Sequence, residues 1–200
     1  MKVLAIEISS AEGSVAVAEH GQVVATRRFA CERGRGAEVF AALAAMRESW
    51  KDAAIVAVGI GPGSYNGLRV ACAIATSLQM AGRTEVRLSP SPCLLPVDEP
   101  HFFVCGDARG GRAYRAEVRG RRLCGEIVLL PYAEAALAAD GDIPTFRVGS
   151  FPNGENFTAS YPDAAVLALL APDLPPAETG PIEPIYLKPP HITLPRKVAT

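Results

Sequence analysis

Ile60-Gly61-Pro62-Gly63-Ser64-Tyr65-Asn66-Gly67-Leu68-Arg69 sets three glycines and a proline between two apolar runs. Residues 54–58 upstream read as a short buried strand and residues 68–80 downstream as an apolar helix, so the glycines mark a strand-to-helix junction. In α/β folds such junctions are where sites collect. Pro62 fixes φ, the glycines permit close backbone approach, and Ser64 is placed to cap the helix by accepting from a first-turn N–H. Two main readings follow. In one, Gly61, Gly63, Ser64 and Gly67 form a structural junction; in the other, the exposed amides face an anion. Neither is a familiar nucleotide motif. Asn66 stands where Walker A has its second glycine, and no lysine follows Gly67 to reach a phosphate. A catalytic Ser64 lacks the flanking glycines of a nucleophile elbow, since Pro62 and Asn66 occupy those positions.

Working outward, residues 2–8 read as a strand, 15–19 as a second and 23–29 as a third, with His20-Gly21 as a tight hairpin; together they predict an antiparallel meander. Residues 38–49 form an amphipathic helix with Val39, Phe40, Leu43 and Met46 at helical spacing. Helix, strand and helix in succession imply parallel additions to the sheet. Prolines at 90, 92, 96 and 100 then break regular structure and suggest a boundary. Beyond it, strands are expected over 102–105, 112–119, 123–130 and 145–148, with helices over 132–139 and 163–170. The proline-rich residues 172–190 read as extended. The expected division is a first lobe of residues 1–99 with 161–200 packing back on it, and a smaller second lobe of residues 100–160.

With 200 residues, 49% of them hydrophobic, the chain can bury a real core, and a formal net charge of -1 supplies no basic excess for autonomous nucleic-acid binding. The clusters Arg27-Arg28, Arg33-Arg35 and Arg119-Arg121-Arg122 read as solvated faces. No apolar run approaches the roughly 18 residues of a membrane span, and the expected location is the cytoplasm. Five scattered cysteines without a C-x-x-C pair read as reduced core residues, and His20, His101 and His191 are too dispersed for a metal helix. No catalytic or metal-ligating set is therefore assigned.

Four blocks together resemble one family. Val3-Leu4-Ala5-Ile6-Glu7-Ile8-Ser9-Ser10, the glycine junction through Arg69, Asp107-Ala108-Arg109 with Tyr114, and Pro184-Ile185-Tyr186-Leu187 look like the TsaB (YeaZ) family of bacterial tRNA threonylcarbamoyladenosine biosynthesis proteins. They come in the family's order and span nearly the whole chain. The resemblance implies an α/β, actin-like ATPase (ASKHA, RNase H-like) fold of two lobes, with mixed sheets, flanking helices and a last helix that returns to the first lobe. It implies a part in placing threonylcarbamoyl on adenosine 37 of tRNA, with the chemistry carried by TsaD, TsaB as its non-catalytic dimerisation partner and TsaE as an associated ATPase. Expected partners are therefore TsaD and TsaE, a second copy when the chain is alone, and tRNA only through the complex. The chain is expected to hold no cofactor of its own, any ATP or ADP lying at a joint site with TsaD and TsaE.

Three features depart from the family pattern. Glu7 replaces the usual aspartate, which displaces the carboxylate by one methylene. Arg35-Gly36-Ala37-Glu38 lacks the usual histidine and hydroxyl residue, which weakens the helix cap. The chain also reads as shortened around residues 91–100 and in the second lobe.

Residues 70–80 are apolar nearly all round, whereas a helix on one sheet face needs a single apolar stripe. Small residues in the first helix would let a partner's helices approach closely. The expected interface is thus Val39, Phe40, Leu43, Met46, Arg69, Cys72, Ala75, Leu78 and Gln79, and Leu43→Arg or Ala75→Arg should weaken association without unfolding. The plainer reading is that the two helices cover only each other and the sheet. Arg69, early in a helix where the dipole disfavours a cation, is expected to meet an anion. Asp107 and Arg109 are expected to pair at a strand end. Rival functions are an ATPase or small-molecule kinase of the same superfold and a peptidase. Tight nucleotide binding would mark the first, and protease activity of the isolated chain the second.

Overall fold

Lys2–Glu7 forms β1, the centre of the first sheet, and its side chains are buried on both faces. A computed structural model describes residues 1–31, 36–82, 84–137 and 142–187. Glu12–Glu19 (β2) and Gln22–Ala30 (β3) follow as the expected antiparallel meander, joined by His20 and Gly21 with φ of 53° and 76°. Two consecutive positive φ angles match the right-handed twist of the strands. Ile55–Gly59 (β4) and Glu85–Ser89 (β5) add in parallel, for an order β3-β2-β1-β4-β5.

β5 was not legible in the sequence, because Glu85 and Arg87 interrupt its apolar pattern. It is an edge strand, and its exposed side is covered where Ala177 N donates to Val86 O at 2.8 Å.

Period-two alternation divides the core between the two faces of this sheet. Leu4, Ile6, Val56 and Val58 face Ala37–Ala45 (α1) and Tyr65–Met80 (α3), while Val3, Ala5, Ile55 and Ala57 face Ala164–Leu170. The latter is numbered α5 here because Arg47–Trp50 forms α2 and Tyr132–Leu137 forms α4. The helix expected over 38–49 is broken at Met46, whose φ of -105° and ψ of 10° leave the helical region. Trp50 Nε1 donates to Leu43 O at 2.8 Å, satisfying a carbonyl released at the end of α1. Gly36 at the start of α1 makes no side-chain cap bond, in line with the weak cap read from the sequence.

The second sheet has the order β11-β10-β6-β7-β8. Its strands are His101–Asp107 (β6), Arg112–Arg119 (β7), Arg122–Leu123 (β8), Val128–Pro131 (β9), Thr145–Val148 (β10) and Thr158–Ala159 (β11). The single strand expected over 123–130 is two short ones. β8 pairs with Val118 and Arg119, β9 with Arg112 to Arg115, and Gly125 at φ 74° turns the chain between them. The expected end of the helix over 132–139 and the tail beyond Leu187 lie outside the described residues, as do Arg33 and Arg35.

Residues 174–187 form no helix or strand beyond an isolated bridge between Pro176 and Arg87. Ala177 and Ile182 pack against the first core, Ile185 N donates to Ile60 O at 2.8 Å, and Leu187 reaches the second core. Three antiparallel strands continued by two parallel ones, helices on both faces and a second mixed sheet make the expected two-lobed actin-like architecture.

Candidate functional site

The glycine junction lies against the loop after β1. Ser64 Oγ accepts from Gly67 N at 3.4 Å, so α3 starts at Tyr65, one turn earlier than its apolar run suggests. Ser64 N donates to Ser9 O at 2.7 Å and Gly61 N to Ser91 Oγ at 3.0 Å. Three amides of the junction, those of Gly61, Ser64 and Gly67, are thus bonded within the protein itself. The glycines answer to close packing: a Cβ would sit 2.1 Å from Ser9 O at Gly63 and 2.2 Å from Ile8 O at Gly67.

Glu7 is fully buried beside this junction. Its Oε1 accepts from Ser9 N at 2.7 Å and its Oε2 from the Ser91 hydroxyl at 2.9 Å. Gly59 makes room for the longer side chain, since a Cβ there would sit 1.7 Å from Oε2. Burial pushes the Glu7 carboxyl above its ordinary value of 4.5, against the opposing effect of the Ser9 and Ser91 donors. Both oxygens face protein donors rather than an open cleft. Ser91, 84 positions away, left no signal in the sequence that would pair it with Glu7.

A group whose folded pKa is raised supports stability fully below its unfolded value and loses that support as pH rises through the folded one. Glu7→Gln keeps an acceptor for Ser9 N and offers Ser91 Oγ a donor, with no charge to desolvate. The variant should melt above the wild type at about pH 8, and the gap should close towards about pH 4. Parallel melting curves at both pH values would mean that folding does not raise the Glu7 pKa.

Asp107 and Arg109 pair as expected, at 3.1 Å, and Asp107 also accepts from Arg109 N at 2.7 Å and from the Tyr132 hydroxyl at 2.8 Å. Tyr114 is buried against Gly106, and burial raises its phenol pKa. Two arginines of the basic clusters, Arg28 and Arg121, act as braces. Arg28 Nε donates to Asp163 Oδ2 at 2.9 Å, Asp163 caps α5, and Arg121 donates to Leu95 O and Val97 O. A polar cavity of about 270 Å³ beside Glu12, Arg28 and Asp163 is thereby lined by charges already used in the fold. Burial pushes the Cys93 thiol up to about 12 and those of Cys31, Cys72 and Cys105 to about 11, so none is a ready nucleophile at neutral pH.

The α1–α3 pair divides the expected interface residues between core and surface. Val39, Leu43, Met46, Cys72 and Ala75 are buried within the chain, and Leu78 and Gln79 are half-buried. All but Cys72 and Gln79 belong to the core between the helices and the sheet. The apolar stripe of each helix is thus used at home, and of the expected interface residues only Phe40 and Arg69 are left exposed. Phe40 is 55% and Met80 81% exposed, with Ala41, Ala44, Ala73 and Ser77 also exposed.

Between the helices runs an apolar groove of about 330 Å³, lined by Phe40, Leu43, Trp50, Val70, Ala73, Ile74, Ser77 and Leu78. Ala73 and Ser77, four residues apart, share one face of α3 outside the expected interface set, and Trp50 joins the lining from beyond the break at Met46. Arg69 meets no carboxylate among the described residues. Its Nη1 donates to the Tyr65 hydroxyl at 3.4 Å, and its guanidinium lies 5.4 Å from the Tyr65 ring centre.

No helix among the described residues is long and apolar enough to cross a membrane. No protein-family model matches the chain, and no curated protein does. Among solved structures, YeaZ from Pseudomonas aeruginosa superposes with a TM-score of 0.72 at 22% identity, over 93% of this chain and 99% of that one. An uncharacterised protein with similarity to peptidase YeaZ from Pseudomonas aeruginosa superposes at 0.74 with 20% identity, over 94% and 99%. With both neighbours almost wholly matched, the expected shortening of the second lobe does not distinguish this chain from them. The chain has the fold of the YeaZ structure.

Proposed function

We propose that this chain is a TsaB-family protein and serves as the non-catalytic partner of a TsaD threonylcarbamoyltransferase in tRNA N6-threonylcarbamoyladenosine formation. The observation that carries the reading is the outer face of α1 and α3. It is nearly free of charge, it exposes Phe40 and Met80, and it holds an apolar groove. Such a face favours cover by another protein. The fold likeness and the four blocks in family order agree with it.

Glu7, in the strand that faces nucleotide in active members of the superfold, is sealed between Ser9 and Ser91, which argues for a scaffold over an ATPase or kinase. In this reading TsaD takes the helix face, TsaE joins the complex, and a second copy occupies the face when the chain is alone. ATP or ADP binds only at a site shared with TsaD and TsaE, tRNA is met through the complex, and the setting is the cytoplasm.

The test is threonylcarbamoyladenosine formation on tRNA, read by nucleoside mass spectrometry, with the same organism's other pathway proteins. Omission of this chain should abolish product, and the chain alone should neither hydrolyse ATP nor transfer the group. Equal product without it would overturn the proposal, and ATP turnover by the chain alone would favour the kinase or ATPase reading.

A further inference from the structure

The exposed side of α3 carries Tyr65, Asn66, Arg69, Ala73, Ser77 and Met80, and Arg69 is its one charged group. Arg69 is the fifth residue of α3, past the first turn where the helix dipole acts most strongly. Within the described residues it has an aromatic neighbour and no carboxylate partner. Its position is nonetheless prepared. The Tyr65 hydroxyl accepts from Nη1, and the Tyr65 ring packs on Tyr186 with centroids 5.2 Å apart. Tyr186 is in turn placed by its neighbour Ile185, whose N–H donates to Ile60 O. Tyr65 and Tyr186 remain 41% and 44% exposed, so the cluster stands at the surface, on the helix that also lines the apolar groove.

We infer that Arg69, steadied by Tyr65 and Tyr186, is the anchor by which the α1–α3 face binds a carboxylate on the partner protein, and that the strap of residues 182–187 is part of that interface. The inference rests on the reading above that TsaD covers this face, and the occupant it commits to is a TsaD surface bearing an acidic side chain beside an apolar patch. Charge complementarity supports this choice: the exposed face of α3 carries one prepared guanidinium and no carboxylate, and Glu183, the exposed acid of the strap, makes no ion pair with it. Arginine and tyrosine are also the side chains that most often dominate protein interfaces. Tyr186 acts here as a positioning residue, through Tyr65 and Arg69.

The experiment is calorimetric titration of the full chain with TsaD of the same organism, at low and high salt. Arg69→Ala should weaken binding at least about tenfold and flatten its salt dependence. Arg69→Lys should recover part of the loss. Tyr186→Ala should weaken binding in the same direction, and Tyr186→Phe, which keeps the ring, should not. Arg69→Ala should melt as the wild type does, because its side chain is exposed. Binding by Arg69→Ala within about twofold of wild type, with an unchanged salt dependence, would overturn the inference. If Phe40→Arg abolishes binding while Arg69→Ala does not, the helix face is the interface and the anchor is wrong. If the wild type fails to bind TsaD, the proposed function falls, and the anchor with it.

Discussion

Alanine at Gly63 or Gly67 is expected to destabilise the chain by about 3 kcal/mol or more, at the upper end of what overpacking causes. The added methyl would lie 2.1 Å from Ser9 O at position 63 and 2.2 Å from Ile8 O at position 67, and both obstacles are backbone. Neither can swing aside as a flexible side chain would. Relief requires moving the loop after β1, the central strand of the first sheet, away from the start of α3. That movement would break the bond from Ser64 N to Ser9 O and strain the seat of Glu7. For a chain of this length the loss should lower Tm by roughly 6–12 °C. Ser64→Ala removes only a cap bond and should cost about 1 kcal/mol. Thermal melts of the three variants check this ranking, and a Gly63→Ala protein as stable as Ser64→Ala would show that the junction has slack.

The second large effect concerns association rather than folding. Phe40→Arg and Ala73→Arg each place a charge on the outer face of the helix pair, at positions exposed in the isolated chain. Each should weaken TsaD binding by about a hundredfold or more, because an unpaired guanidinium would be buried against an apolar partner. Circular dichroism and Tm should stay close to wild type. Leu43→Arg and Ala75→Arg should behave differently from the sequence-based expectation. With Leu43 only 6% exposed and Ala75 fully buried, both sit in the core over the sheet, and a charge at either should unfold the chain. Native-like Leu43→Arg that fails to bind would return that residue to the interface, while Phe40→Arg that binds normally would remove this face from it.

Much of the fold is written in local pattern. The meander, the strand before the glycines, α3 and the capping role of Ser64 all rest on local patterning, which depends on neighbours a few residues apart. The resemblance carried by residues 60–69, 107–109 and 184–187 was likewise legible as text. Boundaries and edges were less so. Glu85 and Arg87 hid β5, Met46 broke a helix whose apolar spacing ran on through residue 49, and Gly125 divided one expected strand in two.

Sequence by itself determined most of the elements, the order in which those come and the close packing demanded of the junction glycines, because periodicity and backbone sterics are local properties. Only the tertiary structure decided which side of α1 and α3 faces outward, that Glu7 is sealed by Ser91, and that Tyr186 returns to Tyr65 beside Arg69. A helix that is apolar nearly all round does not announce which stripe its own sheet will take. Contacts between residues 84 or more positions apart leave no spacing for a pattern to show.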